Sequence, residues 1–304
     1  MKGRVFKSTG SWYSVKVGDT FYNCRLRGKM RLYDEKVTNP VAVGDWVEIQ
    51  LENDEEGIIQ EVVERTNYVI RKSTRKKRHS HILAANIDQA ALIITLAFPR
   101  TSLGFIDRFL VACESFRIPA ILVFNKSDLL DEEALTYFED LKFDYESIGY
   151  KVLLVSAESG DNMDLLEDSL KGKTTLFSGH SGVGKSTMLN LLSPEIEQRV
   201  GEVSDAVGKG THTTTFAEMF EIAKDTYVID TPGIKELGLW DIGDEELSHY
   251  FPEMREFIGE CKFNNCTHIH EPGCAFREAM ERGEIAPSRY ENYLSMLADD
   301  DNRR

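Results

Sequence analysis

Nine consecutive residues, Gly179-His180-Ser181-Gly182-Val183-Gly184-Lys185-Ser186-Thr187, fit the spacing GxxxxGK[ST] between an apolar run, Leu176 to Ser178, and a helix-like run, Thr187 to Leu192. The glycines let successive backbone N–H groups turn inward around phosphate oxygens, and the following helix N-terminus adds partial positive charge. Lys185 then reaches the β and γ phosphates of a nucleotide, and the Ser186 hydroxyl can ligate Mg²⁺. A second set lies downstream: Cys261-x4-Cys266-x-His268-x5-Cys274 places three thiols and an imidazole within fourteen residues. Such a Cys3His set matches a closed tetrahedral zinc site, with His270 as a rival for the His position. With all four positions filled by protein, the zinc is expected to be structural and to replace a core too small to fold alone.

Residues that do chemistry must be positioned, and from Ile82 the pattern specifies how. Apolar runs at Ala90 to Phe98, Ala120 to Phe124, Val152 to Val155, Thr174 to Phe177 and Tyr227 to Ile229 alternate with helical stretches at Ile106 to Phe116, Glu132 to Ile148, Met163 to Leu170 and Lys185 to Leu192. This alternation predicts an α/β domain around a mostly parallel sheet, with ligands gathering at the strand tips. Three tips carry short motifs: Asn125-Lys126-Ser127-Asp128 after Phe124, Ser156-Ala157 after Val155, and Asp230-Thr231-Pro232-Gly233 after Ile229. A small-molecule kinase would leave the first and last of these unexplained.

Residues 3 to 64 read differently. Short β-branched and aromatic segments, Trp12 to Val17, Phe21 to Leu26, Asp45 to Leu51 and Gly57 to Val63, are separated by turn signals and predict about five strands. Arg25, Arg27, Lys29 and Arg31 recur every second residue, so a strand carries them on one face. That face is either an ordinary solvated one or, in a small barrel, an oligonucleotide-binding one. Residues 71 to 79 then hold six cations, among them Arg75, Lys76, Lys77 and Arg78, with no apolar anchor. They are expected to form a mobile linker able to settle on phosphates.

The charge is lopsided. Net charge over 304 residues is -15, yet residues 1 to 81 carry 16 basic against 11 acidic residues and the remainder 20 against 40. One end suits a polyanion and the rest does not. Five cysteines, three of them clustered, suit a reducing compartment with a metal site better than a disulfide framework. No apolar run approaches the roughly 18 residues of a membrane span, and the start MKGRVFKSTG lacks a signal-peptide core, so a cytoplasmic protein without membrane contact is expected.

The motifs together resemble those of a GTPase, in an unusual order. Ordinary P-loop GTPases run phosphate loop, switch threonine, DxxG, NKxD, SA, whereas here NKSD and SA precede GHSGVGKS, a Thr-rich segment and DTPG. With a β-barrel in front and a Cys/His cluster behind, the whole chain resembles the ribosome small-subunit-dependent GTPase A (RsgA) family of bacterial assembly factors, which are circularly permuted. The resemblance implies a multidomain α/β protein with an N-terminal OB-like β-barrel, a circularly permuted P-loop GTPase domain and a C-terminal zinc-binding helical module. Their expected bounds are 1–70 for the RNA-binding barrel, 71–81 for a basic flexible linker, 82–240 for the GTPase domain and 241–304 for the zinc-binding module.

In that frame Asp128 accepts from the guanine N1–H and exocyclic amine, Asn125 meets O6 and N7, the Lys126 stem covers the ring, and Ser156-Ala157 adds a backbone N–H to O6, selecting GTP over ATP. Asp230 is expected to bind Mg²⁺ and the Gly233 N–H to meet the γ phosphate. Within Gly208 to Thr215, Thr214 is the expected switch ligand of Mg²⁺. The position of the water-orienting Gln of Ras-like enzymes holds Ile234, which directs attention to His212, either the group that positions the water or a solvated bystander. Helices are expected at Asp244 to Phe257, interrupted by Pro252, and at Ser288 to Leu297. The resemblance implies a GTP hydrolase maturing the small ribosomal subunit, binding its rRNA, monomeric, and leaving after hydrolysis; the rival is a non-ribosomal RNA-binding switch in which hydrolysis is incidental.

Overall fold

The computed structural model describes residues 1–28, 39–72, 80–193, 217–231, 242–243 and 245–298. Five strands open the chain: β1 (Lys2–Ser8), β2 (Tyr13–Val17), β3 (Thr20–Leu26), β4 (Trp46–Leu51) and β5 (Glu56–Val62). They pair β1–β2–β3–β5–β4 and back to β1, which closes the barrel. Alternation explains its core, since Val5, Val15, Cys24, Val47, Ile49 and Ile59 point inward. The strand that Arg25 sits on ends at Leu26, so Arg27 lies beyond it rather than on a continued basic strand; Lys29 and Arg31 lie outside the described residues.

The expected linker at 71–81 is bounded by pairing. β6 (Tyr68–Lys72) and β7 (Ser80–Ala85) form an antiparallel hairpin, so positions 71–72 and 80–81 are strand, not flexible chain. Arg75, Lys76, Lys77 and Arg78 lie outside the described residues.

The central domain contains β8 (Gln89–Ile94), α1 (Leu103–Ser115), β9 (Ala120–Phe124), α2 (Glu132–Ser147), β10 (Lys151–Leu154), α3 (Met163–Leu170), β11 (Thr174–Ser178), α4 (Lys185–Leu192), β12 (Glu218–Ala223) and β13 (Thr226–Asp230). Its strand order is β10-β9-β8-β11-β13-β12, all parallel except β12. Strands β8, β9 and β11 are buried along their whole length, as a sheet covered by helices on both faces requires. Ser102 caps α1 and Asp131 caps α2, each side chain accepting from a backbone N–H of the first turn. β8 stops at Ile94 instead of running to Phe98, because Thr101 N–H and the Thr95 carbonyl bond each other and fold the chain back.

Barrel and central sheet are one hydrogen-bonded sheet, joined where β1 pairs with β12 at Lys7 and Glu218. Ion pairs Lys7–Glu218 (3.0 Å) and Lys16–Glu221 reinforce the seam. Across it Arg4 is buried between the rings of Trp46 and Tyr227 and donates to Thr174 Oγ1 at 2.8 Å.

The C-terminal part holds α5 (Pro252–Arg255), α6 (Ala275–Glu281) and α7 (Pro287–Leu297). Pro252 begins α5 instead of interrupting a longer helix, since its fixed φ and missing N–H suit a first turn. This part is bolted to α1 by a buried ion network. Arg289 donates to Asp107 at 2.5 Å and to Glu253 at 2.8 Å, and Asn292 and Tyr145 also donate to Asp107. Burial opposes both charges, but Asp107 and Glu253 together hold the Arg289 guanidinium protonated. Among the described residues no helix is long and apolar enough to cross a membrane.

Arg289→Ala leaves two carboxylates buried without their cation, a loss of about 3–5 kcal/mol. Hydrogen exchange should show α1 and α7 losing protection together, while the barrel amides keep theirs.

Candidate nucleotide and metal sites

The phosphate loop forms between β11 and α4 because its glycines accept geometries closed to other residues. Gly179 has φ +142° and a Cβ there would lie 2.4 Å from the Ile93 carbonyl oxygen; Gly184 has φ +101° and a Cβ there would lie 2.2 Å from Asn125 Nδ2. Val183 is buried beneath the loop, while Ser181, Gly182, Ser186 and Thr187 face outward. Lys185 Nζ donates to the carbonyls of Gly179 and His180, each at 2.8 Å, which holds the ammonium at the centre of the loop. The His180 ring lies against Phe105 of α1, with centroids 4.0 Å apart, so it braces the loop from the protein side.

Asn125 ties this loop to the other strand tips. Its Nδ2 donates to the Val183 carbonyl at 2.7 Å and its Oδ1 accepts from the Ala157 N–H at 3.0 Å. The side chain is buried, and Nδ2 carries a second hydrogen that neither bond uses, as the expected contact with a base acceptor requires. Lys126 adopts a left-handed backbone (φ +69°) and donates from Nζ to the Phe98 carbonyl at 2.5 Å. Asp128 is exposed, and its Oδ1 accepts from the Ser156 hydroxyl, which itself accepts from the Glu158 and Ser159 amides. Ser156 therefore aims the carboxylate.

β13 delivers Asp230 beside β11, with Phe177 as its register partner. Asp230 Oδ1 is buried with no hydrogen-bond partner among the described residues, as are Ser178 Oγ and Thr231 Oγ1. Burial pushes the Asp230 carboxyl up and the Lys185 ammonium down, each opposed by the other's charge. An orphaned carboxylate oxygen within reach of the Lys185 charge fits a hard divalent cation with oxygen ligands. Ser178 and Thr231 were not singled out in the sequence, because a lone hydroxyl at a strand end carries no pattern. His212, Thr214 and Gly233 lie outside the described residues.

The ligand atoms of Cys261, Cys266, His268 and Cys274 all lie within 4.8 Å of one another. Three sulfurs and one imidazole nitrogen at that spacing fit a tetrahedral thiophilic ion, and His270, exposed and outside the cluster, does not take part. Burial pushes the Cys266 thiol up to about 12 and lowers His268, so a bound cation must displace thiol protons. Glu271, missed in the sequence, organises the intervening loop: it accepts from the Thr267 amide and hydroxyl and the Ile269 and His270 amides. Tyr290 and Tyr293 of α7 donate to the carbonyls of His268 and Thr267.

On the barrel, Arg25 pairs with Glu52 at 2.8 Å and Arg27 donates to Gln60 at 3.1 Å, both exposed.

Asn125→Ala leaves the Val183 carbonyl and the Ala157 N–H unpaired in a buried site, at about 1–3 kcal/mol for each unmet group. Calorimetric titration should show nucleotide affinity falling by about tenfold or more, with the circular dichroism of the fold unchanged.

The RsgA GTPase family model matches residues 62–240, and the RsgA N-terminal domain model matches residues 2–59. A small ribosomal subunit biogenesis GTPase RsgA 2 from Bacteroides thetaiotaomicron is 51% identical over 300 residues, covering 98% of this chain and 97% of the relative. A small ribosomal subunit biogenesis GTPase RsgA from Cytophaga hutchinsonii is 51% identical with both chains covered in full. Among solved structures, YjeQ from Thermotoga maritima is similar at 36% identity and a TM-score of 0.79, covering 100% of this chain and 99% of its own. YloQ, a circularly permuted GTPase, is similar at 33% identity and a TM-score of 0.74, covering 100% and 96%. Here the phosphate loop is tied by one asparagine to strand tips that precede it in the chain, the order of a circularly permuted GTPase such as YloQ, and the chain belongs to the RsgA GTPase family.

Proposed function

We propose that this protein hydrolyses GTP as a late maturation factor of the small ribosomal subunit, binds its rRNA, and leaves after hydrolysis. The observation that carries the reading is the convergence of Asp128, Lys126, the 179–187 loop and Asp230 at the carboxyl ends of β9, β11 and β13, tied through Asn125. Asp128 recognises the guanine N1–H and exocyclic amine, and Lys126 covers the ring. The backbone N–H groups of Gly182 to Thr187 and the Lys185 ammonium hold the phosphates, with Gly233 meeting the γ phosphate.

Ser186 and Asp230, joined in the GTP state by Thr214, would hold Mg²⁺, which would supply charge neutralisation at the β and γ phosphates. His212 orients the attacking water. Intrinsic turnover is slow, because Ile234 stands where Ras-like enzymes place the water-orienting Gln. Cys261, Cys266, His268 and Cys274 would hold one structural zinc ion. The barrel to residue 70, with Arg25, Arg27, Lys29 and Arg31, and the basic stretch bearing Arg75, Lys76, Lys77 and Arg78 contact rRNA. The protein works as a cytoplasmic monomer.

Turnover of GTP should rise by at least about tenfold with purified small subunits and not with bulk RNA. Equal stimulation by any RNA would instead favour a non-ribosomal RNA switch. In the same assay His212→Ala should lower stimulated turnover by about tenfold or more with GTP affinity nearly intact; unchanged turnover removes His212 from the chemistry. Atomic emission on freshly purified, unchelated protein should find about one zinc per chain. A value near zero overturns the metal assignment.

A further inference from the structure

Phe98 is the most exposed large apolar side chain among the described residues, at 82%. A single exposed apolar residue needs no explanation, so its position must carry the argument. The loop that bears it, between β8 and α1, is braced from within. Thr101 N–H donates to the Thr95 carbonyl at 2.9 Å, Thr95 N–H donates to Thr101 Oγ1 at 3.2 Å, and the Thr95 hydroxyl donates to the Pro99 carbonyl. Both threonines are buried. The ring is thus presented on a bracket rather than on slack chain.

Two contacts place that bracket. The Phe98 carbonyl accepts from Lys126 Nζ at 2.5 Å, and a Cβ on Gly182 would sit 3.5 Å from Pro99 Cδ. In the site proposed above, the base lies at Asp128 and the phosphates at the 179–187 loop. Lys126 belongs to the base end and Gly182 to the phosphate end, so a segment in contact with both spans the stretch where a nucleotide carries its sugar.

We propose that Phe98 is a further nucleotide contact, its ring packing on the ribose and the adjoining edge of the base beside the Lys126 stem. The inference rests on the guanine-nucleotide reading of this site. An uncharged ring at the sugar touches nothing that differs between the diphosphate and the triphosphate. It slows the escape of both alike, and it is a binding residue, not one that selects the nucleotide state. Since Lys126 bonds the Phe98 carbonyl, the side chain can be removed without losing that bond.

The test is the dissociation rate of radiolabelled GDP and of a non-hydrolysable GTP analogue from the full chain without ribosomal subunits. The sugar must be unmodified, because a fluorophore on the ribose would occupy the proposed contact. Phe98→Ala should release both nucleotides about tenfold faster, and Phe98→Leu within about threefold of the unaltered rate. Phe143→Ala, which removes another exposed ring on α2 away from the site, should change neither. Unaltered rates in Phe98→Ala overturn the proposal. So does unaltered release joined to weakened small-subunit binding, which would assign the ring to a partner surface. Failure of the guanine-nucleotide reading itself would appear separately, as no GDP binding by the unaltered chain.

Discussion

One planar amide, that of Asn125, is the constraint on which the nucleotide site depends. One of its amide hydrogens and its oxygen are engaged inside the protein, by Val183 of the phosphate loop and by Ala157 after β10, groups 58 and 32 positions away along the chain. Because the bonds are buried, leaving either group unmet costs more than making the bond gains, so the three segments hold one mutual geometry. Gly184 is the counterpart of that amide, since any side chain there would occupy the space Asn125 Nδ2 fills. The exposed members of the site hang on this buried frame: Lys126 turns out of it through a left-handed backbone, and Asp128 is steadied by Ser156.

Two further joints make the three parts of the chain one mechanical body. The barrel joins the central sheet through β1 and β12, and the part that bears the Cys3His cluster joins α1 through Arg289. The permuted order gives these joints consequence. β12 begins just after the Thr-rich segment, and the C-terminal part follows the strand that ends at Asp230. The Thr-rich segment and the segment after Asp230 thus adjoin, in the chain, the strand that pairs with the barrel and the C-terminal part respectively.

The differences between expectation and structure have local causes. The apolar run after Gln89 reads as strand to Phe98, but Thr95 and Thr101 bond each other and the strand ends four residues sooner. Pro252 reads as a break within a helix and is instead a helix start. In each case a side chain or ring satisfies a nearby backbone need that hydrophobic periodicity does not encode.

What the sequence by itself determined was local: the phosphate loop between β11 and α4, the motifs at the strand tips, the alternation that makes a parallel sheet, the bounds of α3 and α4, and the Cys3His spacing. These follow from neighbours within a few residues, where period, glycine and ligand spacing act directly. Only the tertiary structure decided that Arg289 meets Asp107 across 182 positions, that Arg4 lies between Trp46 and Tyr227, that Glu271 organises the metal loop, and that Phe98 stands beside Lys126. Those partners are chosen by burial. A charge or polar group removed from water must find its counterpart wherever the fold brings one, and no spacing along the chain announces where that will be.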